Sequence, residues 1–545
     1  MKKTILISLM IPAALAAFAD NENYDGQDLT YWDFSGQSLV NSSWVGALAT
    51  EAHFDNANLT SANFTDLWAD EATFAGANFT DAIITGASFS ETTSGGFTKE
   101  QFYSTKNYKD KDLSSVEIAS NDLSGWDFSG QNLNATVFSF SNLTGANFTN
   151  SIITEARLQK TVENGFTKEQ LYSTKSYQDK NLRGVSLWGN DLSGWDFSGQ
   201  NLEESVFEAS NLSGADFSEA NLNGAVLLET TLADADFTNA SITGADLSKT
   251  LEFGFTQEQL FSTKSYKDKN LGSIAFSYNY ADGWDFSGQN MKGAFFSFGY
   301  LPNVNFTGAN LTGADFTETD LDGANFTAAD LRGAYLEQAT GDPIYKNTIM
   351  ENGAIENFSM ASSADVLVVG KFIPQDEEPV ISAKISEADA SVSGGAVLRL
   401  ETGAELDVVD GKTLTIADGG NLVINTDAAG STLISVESGA GLAFEDGAVL
   451  RVNIEGEFDP SGASALSVMS WDDGARISGS DLFVAGENLF LTVDGEAYSG
   501  GWDYIISENQ FQIVFGEIPE PATCAAIFGA LALAFAAHRR KSKQA

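Results

Sequence analysis

Cysteine, histidine and basic residues are scarce in this chain of 545 residues. It has one cysteine, Cys524, and two histidines, His53 and His538. A single cysteine cannot form an intrachain disulfide or a cysteine-based metal site. A Ser-His-Asp triad, a Cys-His pair and a multi-histidine zinc site all need imidazole as base or ligand, which two histidines hardly supply. We therefore expect no catalytic residues, no cofactor and no metal centre, and we interpret His53 as a surface substitution.

Positive charge is the other deficit. The chain has 29 Lys and Arg against 75 Asp and Glu, for a formal net charge of −46. A surface this negative repels phosphate backbones and anionic lipid, so we expect no nucleic-acid partner. The acids are spread along the chain rather than grouped in blocks, which favours solvated faces over a specific cation-binding role.

The N-terminus has the layout of an export signal. It reads MKKTILISLMIPAALAAFAD, in which two lysines precede a short apolar run over residues 4–17. The sequence AFA at residues 17–19 matches the small-x-small pattern that precedes cleavage. We predict a secretory signal peptide over residues 1–19, cut between Ala19 and Asp20, and hence a protein that works outside the cytoplasm.

The C-terminus reads IPEPATCAAIFGALALAFAAHRRKSKQA. A PEP tripeptide is followed by an apolar run over residues 522–537 and then by a basic cluster. The run is as short as a spanning helix can be, since such helices need roughly 17 to 25 residues, and the basic end should stay cytoplasmic. The pattern predicts a C-terminal hydrophobic helix that stops transfer of an exported chain.

This tail resembles the PEP-CTERM sorting signal, which has the same three parts in the same order. The resemblance covers residues 517–545 and implies transient membrane insertion and processing by exosortase-type sorting machinery in Gram-negative bacteria. An ordinary C-terminal anchor is the alternative, and Cys524 is either an apolar filler or a modified residue. The residues of the sorting motif are Pro519, Glu520, Pro521, Arg539, Arg540 and Lys541.

Apolar residues recur at every fifth position over most of the first 340 residues. Reading each fifth residue from Leu29 to Phe89 gives L, F, L, W, A, F, L, F, A, F, F, I and F, and the period resumes over 113–158, 182–247 and 271–336. We call these residues centres. The residue two before a centre is often Ala and the residue one before is usually Asn or Asp. A period of five fits neither a helix nor a flat strand, but a coil that turns a corner every five residues places every centre inside.

The pattern resembles the A(D/N)Lxx motif of the pentapeptide-repeat family. The resemblance implies a right-handed quadrilateral β-helix with four pentapeptides per coil over residues 20–340. Its stacked coils would pair backbone to backbone at about 4.8 Å.

One motif, WDFSGQ, stands four times within the repeats, once near the start at residues 32–37 and then at residues 126–131, 195–200 and 284–289. In the three later copies the frame makes the Phe residues (Phe128, Phe197 and Phe286) centres and the Asp residues (Asp127, Asp196 and Asp285) bends. Their Trp residues (Trp126, Trp195 and Trp284) take the small inward position that usually holds Ala. We expect these rings to pack against a neighbouring insert; the alternative is a platform on which a ligand stacks.

Three inserts interrupt the repeats, at residues 90–112, 159–181 and 248–270. The second contains GFTKEQLYSTKSYQDKNL, in which Thr167 and Gln170 form a capping box and Phe166 and Leu171 a hydrophobic staple. The pattern predicts a short helix of two to three turns in each insert, followed by a lysine-rich return. A helix this short is not stable alone, so it must pack on the coil.

The five-residue period ends near residue 340. We interpret residues 341–390 as a transition or linker. Residues 391–516 alternate short β-rich runs with Gly, Asp or Asn turns, which predicts a second all-β domain, either a solenoid or a sandwich. Four aspartates lie at its predicted turns, where Ca²⁺ could bind, although no full nonapeptide calcium motif is present and turn formation explains them better: Asp410, Asp418, Asp427 and Asp446.

Two sorting signals, a repeat scaffold and the lack of catalytic residues predict a secreted, surface-sorted structural or adhesive protein without catalysis. It would be anchored in the membrane before processing and then reach the outer surface or extracellular matrix. The PEP-CTERM resemblance implies exopolysaccharide or other surface proteins as partners. A β-helical polysaccharide-active enzyme with paired carboxylates is the alternative. An acidic pentapeptide protein that mimics DNA is a remote one, because export separates it from a cytoplasmic target.

Overall fold

The computed structural model describes residues 20–362, 364–370, 382–386, 388–426, 433–438, 440–445 and 448–454, and then 465–471, 476–478, 489–493, 496–497, 502–506 and 510–515. The predicted signal peptide with Ala19, and the C-terminal segment with Cys524, His538 and all six sorting residues, lie outside the described residues. Within the described ranges, no helix has the length and apolarity needed to cross a membrane.

The chain divides into two compact units. The first comprises Met1–Tyr280 and Ala294–Gly299, and the second comprises Ala281–Gly293 and Tyr300–Ala545.

The first unit is a coil that advances one turn every twenty residues. Parallel bridges join each residue before a centre to the residue twenty further on, as in Asn23 with Ser43 and Asp28 with Leu48. The centres between them point inward and are fully buried, as at Phe54. Four five-residue steps therefore make one turn, as the pentapeptide resemblance implies, and the result is a mainly β structure with few helices.

Because the turn length is constant between the inserts, each centre there lies on the centre of the next turn. Phe34, Phe54 and Phe74 form such a column, with ring centroids 5.1 and 5.2 Å apart and interplanar angles of 12° and 10°. Offset stacking of this kind adds to the free energy gained from burying each ring. The apolar period of the sequence is thus converted into continuous columns of side chains.

Polar side chains before the centres hold the corners. The carboxylate of Asp33 accepts the N–H of Ser35 at 2.9 Å, and the amide oxygen of Asn78 accepts the N–H of Thr80 at 3.0 Å. The corner residue itself takes a left-handed conformation, for example at Glu51 with φ 54°. The bend role predicted for Asn and Asp is confirmed at these positions.

The inserts contain helices, each broken in the middle. The helices are α1 (Lys99–Ser104), α2 (Lys106–Lys109), α3 (Lys168–Ser173), α4 (Lys175–Gln178), α5 (Gln257–Ser262) and α6 (Lys264–Lys267), with a 3-10 helix at Leu251–Phe253. The capping boxes are confirmed at Thr98 with Gln101, Thr167 with Gln170 and Thr256 with Gln259.

The predicted single helix of two to three turns is wrong, because one extended residue divides each insert. In the first insert this residue is Thr105, with φ −64° and ψ 156°. On its two sides, the carbonyl of Ser104 accepts the N–H of Asp81 at 2.9 Å and the N–H of Lys106 donates to Ala82 at 2.9 Å. Thr105 thus continues the backbone ladder of the coil, and a continuous helix would lose both bonds.

Across each insert the ladder closes again with a longer turn. The bridges are Ser88 with Glu117, Arg157 with Ser186 and Asp246 with Ala275, each joining residues 29 apart. An insert therefore lengthens one turn by nine residues and leaves the register of the following turns unchanged.

In the second unit the repeats continue and then give way to longer strands. Phe286, Phe306 and Phe326 form a column with centroids 5.6 and 5.0 Å apart. Two short strands, β1 (Thr348–Ile349) and β2 (Ile355–Glu356), then pair antiparallel.

The remaining strands form three sheets. They are β3 (Val366–Val369), β4 (Ala383–Ile385), β5 (Ala390–Val392), β6 (Val397–Leu400), β7 (Glu405–Val408), β8 (Thr413–Ile416), β9 (Asn421–Thr426), β10 (Leu433–Val436), β11 (Gly441–Phe444), β12 (Val449–Ile454), β13 (Ala465–Trp471), β14 (Arg476–Ser478), β15 (Leu489–Val493), β16 (Glu496–Ala497), β17 (Trp502–Ile506) and β18 (Gln510–Phe515). The sheet orders are β17-β18-β13-β10-β7-β4, β14-β11-β8-β5 and β16-β15-β12-β9-β6-β3.

From β3 to β15 every pairing is parallel and joins strands three apart in sequence. This is a coil with three strands per turn, unlike the packed antiparallel sheets of a sandwich. Alternate residues such as Leu398, Leu422 and Leu450 fill its interior. The strands β3, β4 and β5 belong to these sheets, so the sheets begin inside the segment that the sequence assigned to a transition at 341–390.

Candidate binding surfaces

Two Trp residues of the WDFSGQ motif, Trp126 and Trp195, lie under inserts. Trp126 is only 5% exposed, and its ring centroid lies 5.3 Å from that of Phe102 and 6.2 Å from that of Tyr103. Trp195 lies 6.4 Å from both Phe166 and Tyr172. For these two copies of the motif, the expected packing of the Trp ring against the insert is confirmed.

Two tyrosines of each of these inserts form hydrogen bonds with the same motif. Tyr103 and Tyr108 stack at 4.3 Å, and the Tyr108 hydroxyl donates to the carbonyl oxygen of Asp127 at 2.8 Å, while the N–H of Asp127 donates to the Tyr103 oxygen. Burial raises the pKa of Tyr108, so its hydroxyl stays protonated and able to donate.

The second insert repeats this arrangement. Tyr172 and Tyr177 stack at 4.4 Å, Tyr177 donates to the carbonyl oxygen of Asp196 at 2.9 Å, and the N–H of Asp196 donates to Tyr172 at 2.6 Å. At residues 126–131 and 195–200 the motif therefore holds an insert on the coil, through the packing of its Trp and the hydrogen bonds of its Asp backbone. The surface that a ligand would need on Trp126 or Trp195 is occupied by the protein itself.

The polar residues noted in the sequence do not converge. His53 is exposed, with its Nδ1 3.1 Å from the hydroxyl oxygen of Thr73. Asp410 and Asp418 lie apart at turns, and Asp427 and Asp446 lie outside the described residues. In the part of the chain that the structure describes, no three His, Cys, Asp or Glu side chains are grouped as metal ligands.

The first unit instead presents an exposed group of aromatic side chains, which we call the aromatic corner. It consists of Tyr278, Tyr280, Phe295 and Phe298, which are 53%, 59%, 48% and 45% exposed. Exposed aromatic surface of this extent marks interaction sites more often than chance.

The coil geometry brings these residues together. Tyr278 and Phe298 occupy the same corner position in successive turns, and their rings stack at 4.9 Å with an interplanar angle of 8°. Phe295 lies three residues before Phe298, on the face that precedes the corner, where it bridges to Ala275. Tyr280 lies on the face that follows the corner. The aromatic rings therefore line one edge of the coil and both faces beside it.

Sequence reasoning missed the aromatic corner, although the repeat frame contains the signal. A centre points inward, whereas the residue before it and the second residue after it point outward. Phe295 precedes the centre Phe296, and Tyr278 and Phe298 are second after their centres. An aromatic residue at either of these two outward positions is therefore an exposed one.

The pentapeptide repeat family matches in eight copies, at residues 28–66, 121–161, 181–218, 210–248, 282–317 and 300–338. The chain therefore carries a pentapeptide-repeat region, and the resemblance found in the sequence is confirmed. No curated protein matches the chain.

Several solved pentapeptide-repeat structures are similar in part. HetL of the cyanobacterium Nostoc, involved in heterocyst differentiation regulation, is 22% identical over 45% of this chain and 91% of its own, with a TM-score of 0.20. A protein of the Arabidopsis thaliana thylakoid lumen is 28% identical over 24% and 70%, with a TM-score of 0.12. The plasmid-mediated fluoroquinolone resistance protein QnrB1 is 14% identical over 47% and 94%, with a TM-score of 0.14. Superpositions this poor carry no functional argument.

Proposed function

We propose that this is a secreted, surface-sorted structural or adhesive protein that performs no catalysis and associates with extracellular polysaccharide or with other surface proteins. The observation that carries the proposal is the aromatic corner, an exposed apolar surface on a rigid coil. The two sorting signals of the sequence, at residues 1–19 and 517–545, add the expectation of export and of membrane anchoring before processing.

The aromatic corner suits a sugar polymer. Sugar rings present flat C–H faces that stack on the rings of Tyr and Phe. Tyr278 and Phe298 are already held in a stack by the coil. Binding would therefore cost little side-chain entropy, because the rings are ordered beforehand.

The destination is tested by fractionating cells that produce the full chain or a chain without residues 517–545. We expect the full chain at the outer surface or in the matrix, and the truncated chain to lose that location. A variant with Pro519, Glu520 and Pro521 replaced by alanine should behave like the truncation if the tail is a sorting signal. Surface delivery of all three chains would contradict the sorting part of the proposal.

Adhesion is tested by binding the full chain to immobilised cellulose and dextran. The variant Tyr278→Ser with Phe298→Ser should bind at least about tenfold more weakly, because stacked aromatic contacts supply most of the apolar interface. Phe140→Ser is the matched control, since Phe140 occupies the same corner position elsewhere and is also exposed. Equal binding by the double variant and the control would overturn the role of the aromatic corner.

A further inference from the structure

The sheet of β3, β6, β9, β12 and β15 carries two arginines in one ladder across its strands. The register pairs Val368 with Arg399, Arg399 with Val423, Val423 with Arg451, and Arg451 with Phe490. We call these five residues the arginine ladder. It runs perpendicular to the strands and thus along the direction in which the turns of this coil are stacked.

The ladder lies on the outside of the sheet. Leu398 and Leu400 on either side of Arg399 are fully buried, as are Leu450 and Val452 beside Arg451. Because side chains alternate along a strand, both arginines point outward, where Arg399 is half-buried and Arg451 is exposed.

Within the described ranges, no carboxylate neutralises either guanidinium. Among the described residues, Arg399 and Arg451 form no ion pair, whereas Arg183 in the first unit contacts Glu155 at 3.2 Å and Glu203 at 3.5 Å. The carboxylate that does share this face, Glu401, accepts a hydrogen bond from Asn425 at 2.8 Å. The chain has 75 acidic residues, yet none of those that the structure describes forms an ion pair with the two cations of this ladder, so an anionic ligand can bind them.

Apolar side chains lie between the two charges and along one side of the ladder. The guanidinium carbon of Arg451 lies 4.3 Å from the ring centroid of Phe490, which orients the group along the ladder. Val423 lies between the arginines, and Val366 and Val397 form a parallel ladder beside them. The face therefore offers apolar contact surface interrupted by positive charge at regular intervals.

The distance between the two arginines fits the repeat of an extended sugar chain. Arg399 and Arg451 are two strands apart, which corresponds to about 9.6 Å between their backbones. In an extended 1→4-linked chain of uronic acids the rise per sugar is close to one strand spacing, so carboxylates on alternate sugars coincide with the two arginines. Arg pairs with carboxylate through two parallel hydrogen bonds, which fixes such a register.

We propose that the arginine ladder binds an extended anionic polysaccharide, with carboxylates of alternate sugar units on Arg399 and Arg451 and sugar faces on Val423 and Phe490. The inference rests on the proposed association with extracellular polysaccharide and adds the site and the charge of the polymer. Nucleic acid fits less well, because duplex DNA carries one charge per about 1.7 Å of axis and would be repelled by a chain of net charge −46.

The test measures binding of the full chain to polygalacturonate at low salt. The variant Arg399→Gln with Arg451→Gln should bind about tenfold more weakly, since two charge-assisted contacts at a partly exposed face are lost. Binding by the unmodified chain should fall as ionic strength rises. The control Lys384→Gln with Lys412→Gln removes two positive charges from the same unit but outside the ladder, and should bind like the unmodified chain.

A second variant keeps both arginines. Val423→Glu places a carboxylate between them on the outer face and should also abolish binding, while circular dichroism reports whether the strands persist. Unchanged polygalacturonate binding by both ladder variants, or an equal loss in the lysine control, would overturn the ladder as the site. Phosphatidylglycerol vesicles or duplex DNA bound as tightly through the same arginines would overturn the choice of polymer.

Different binding results would contradict the arginine ladder and the proposed polysaccharide association. If the ladder inference alone is wrong, the chain still binds cellulose or dextran through the aromatic corner, and the Arg variants are silent. If the proposed polysaccharide association is wrong, the unmodified chain binds neither the neutral polymers nor polygalacturonate.

Discussion

Tyr108 donates its hydroxyl hydrogen to the main-chain carbonyl oxygen of Asp127 at 2.8 Å, and this bond joins α2 to the WDFSGQ motif that follows it. Tyr177 makes the equivalent bond to Asp196, so the contact recurs between the second insert and the motif that follows it. At residues 126–131 and 195–200 the motif thus serves to anchor the insert that precedes it.

Replacing Tyr108 with Phe tests this anchoring. We expect Tyr108→Phe to destabilise the insert locally by about 1 kcal/mol, the usual net contribution of a hydrogen bond, and to speed amide hydrogen exchange in residues 99–109. Tyr278→Phe, at the exposed aromatic corner, is the control. Exchange rates that are the same in both variants would show that the bond contributes nothing.

Truncating the buried Trp should have a larger effect than removing the hydroxyl. Trp126→Ala leaves a cavity between the coil and the insert, at an expected cost of about 3–5 kcal/mol. The midpoint of denaturant unfolding and exchange in α1 and α2 both measure it. Trp68→Ala is the control, because Trp68 is 55% exposed. A comparable loss of stability there would argue against a special role for the packing of Trp126 against the insert.

The break in each insert depends on a threonine hydroxyl. Thr105 Oγ1 donates to the carbonyl of Phe102 at 2.7 Å and accepts the N–H of Tyr108 at 3.3 Å, capping α2. Thr105→Val keeps the volume but loses the cap, which should cost about 1 kcal/mol. Thr105→Ser keeps the hydroxyl, so it should retain most of the stability. If Ser proves as damaging as Val, the methyl group and not the cap is what matters.

The second unit should lose stability in acid through Asp365. The hydrogen bond from Lys346 at 2.9 Å, together with N–H bonds from Ala361 and Ser362, lowers the pKa of Asp365 from 3.8 to about 2. A lowered pKa means that the contribution is complete above pH 3.8 and is lost as the pH falls through about 2. We expect Asp365→Asn to lower the urea midpoint at neutral pH, and the difference from the unmodified chain to vanish near pH 2. A difference that is independent of pH would contradict this.

A buried ion pair in the second unit gives a further test. Arg332 is fully buried and contacts Asp330 at 2.6 Å, and its guanidinium also donates to the carbonyl of Gly370. Arg332→Met leaves Asp330 without its cation, at an expected cost of about 3–5 kcal/mol. The double variant Arg332→Met with Asp330→Asn should recover part of that loss in a denaturant titration. A double variant whose loss equals the sum of the losses of Arg332→Met and Asp330→Asn measured alone would show that the two charges are not coupled.

Sequence reasoning succeeded where one local rule repeats. The five-residue period placed Phe128, Phe197 and Phe286 in the core, and the capping boxes located the starts of α1, α3 and α5. It failed at Thr105, where the break depends both on the local cap of α2 by the Thr105 hydroxyl and on hydrogen bonds from the flanking residues to a turn more than twenty residues earlier. The sequence STKNY contains the capping threonine but not those distant partners.

For the two proposed binding surfaces as well, the sequence shows some features and only the structure shows the others. The exposure of Phe295 and Phe298 could have been read from the repeat frame, but their proximity to Tyr278 required the turn length, which an insert alters by nine residues. For Arg399 and Arg451 the sequence gives only two arginines 52 residues apart. Their common ladder follows from a register of parallel strands whose turns differ in length.

By itself the sequence determined which side chains enter the core of the repeats, because a five-residue step fixes inward and outward positions without reference to distant residues. Only the tertiary structure decided what the inserts do and which outward side chains become neighbours. Those relationships depend on backbone ladders between whole turns, and the register of such ladders is a property of the stacked chain rather than of any local segment.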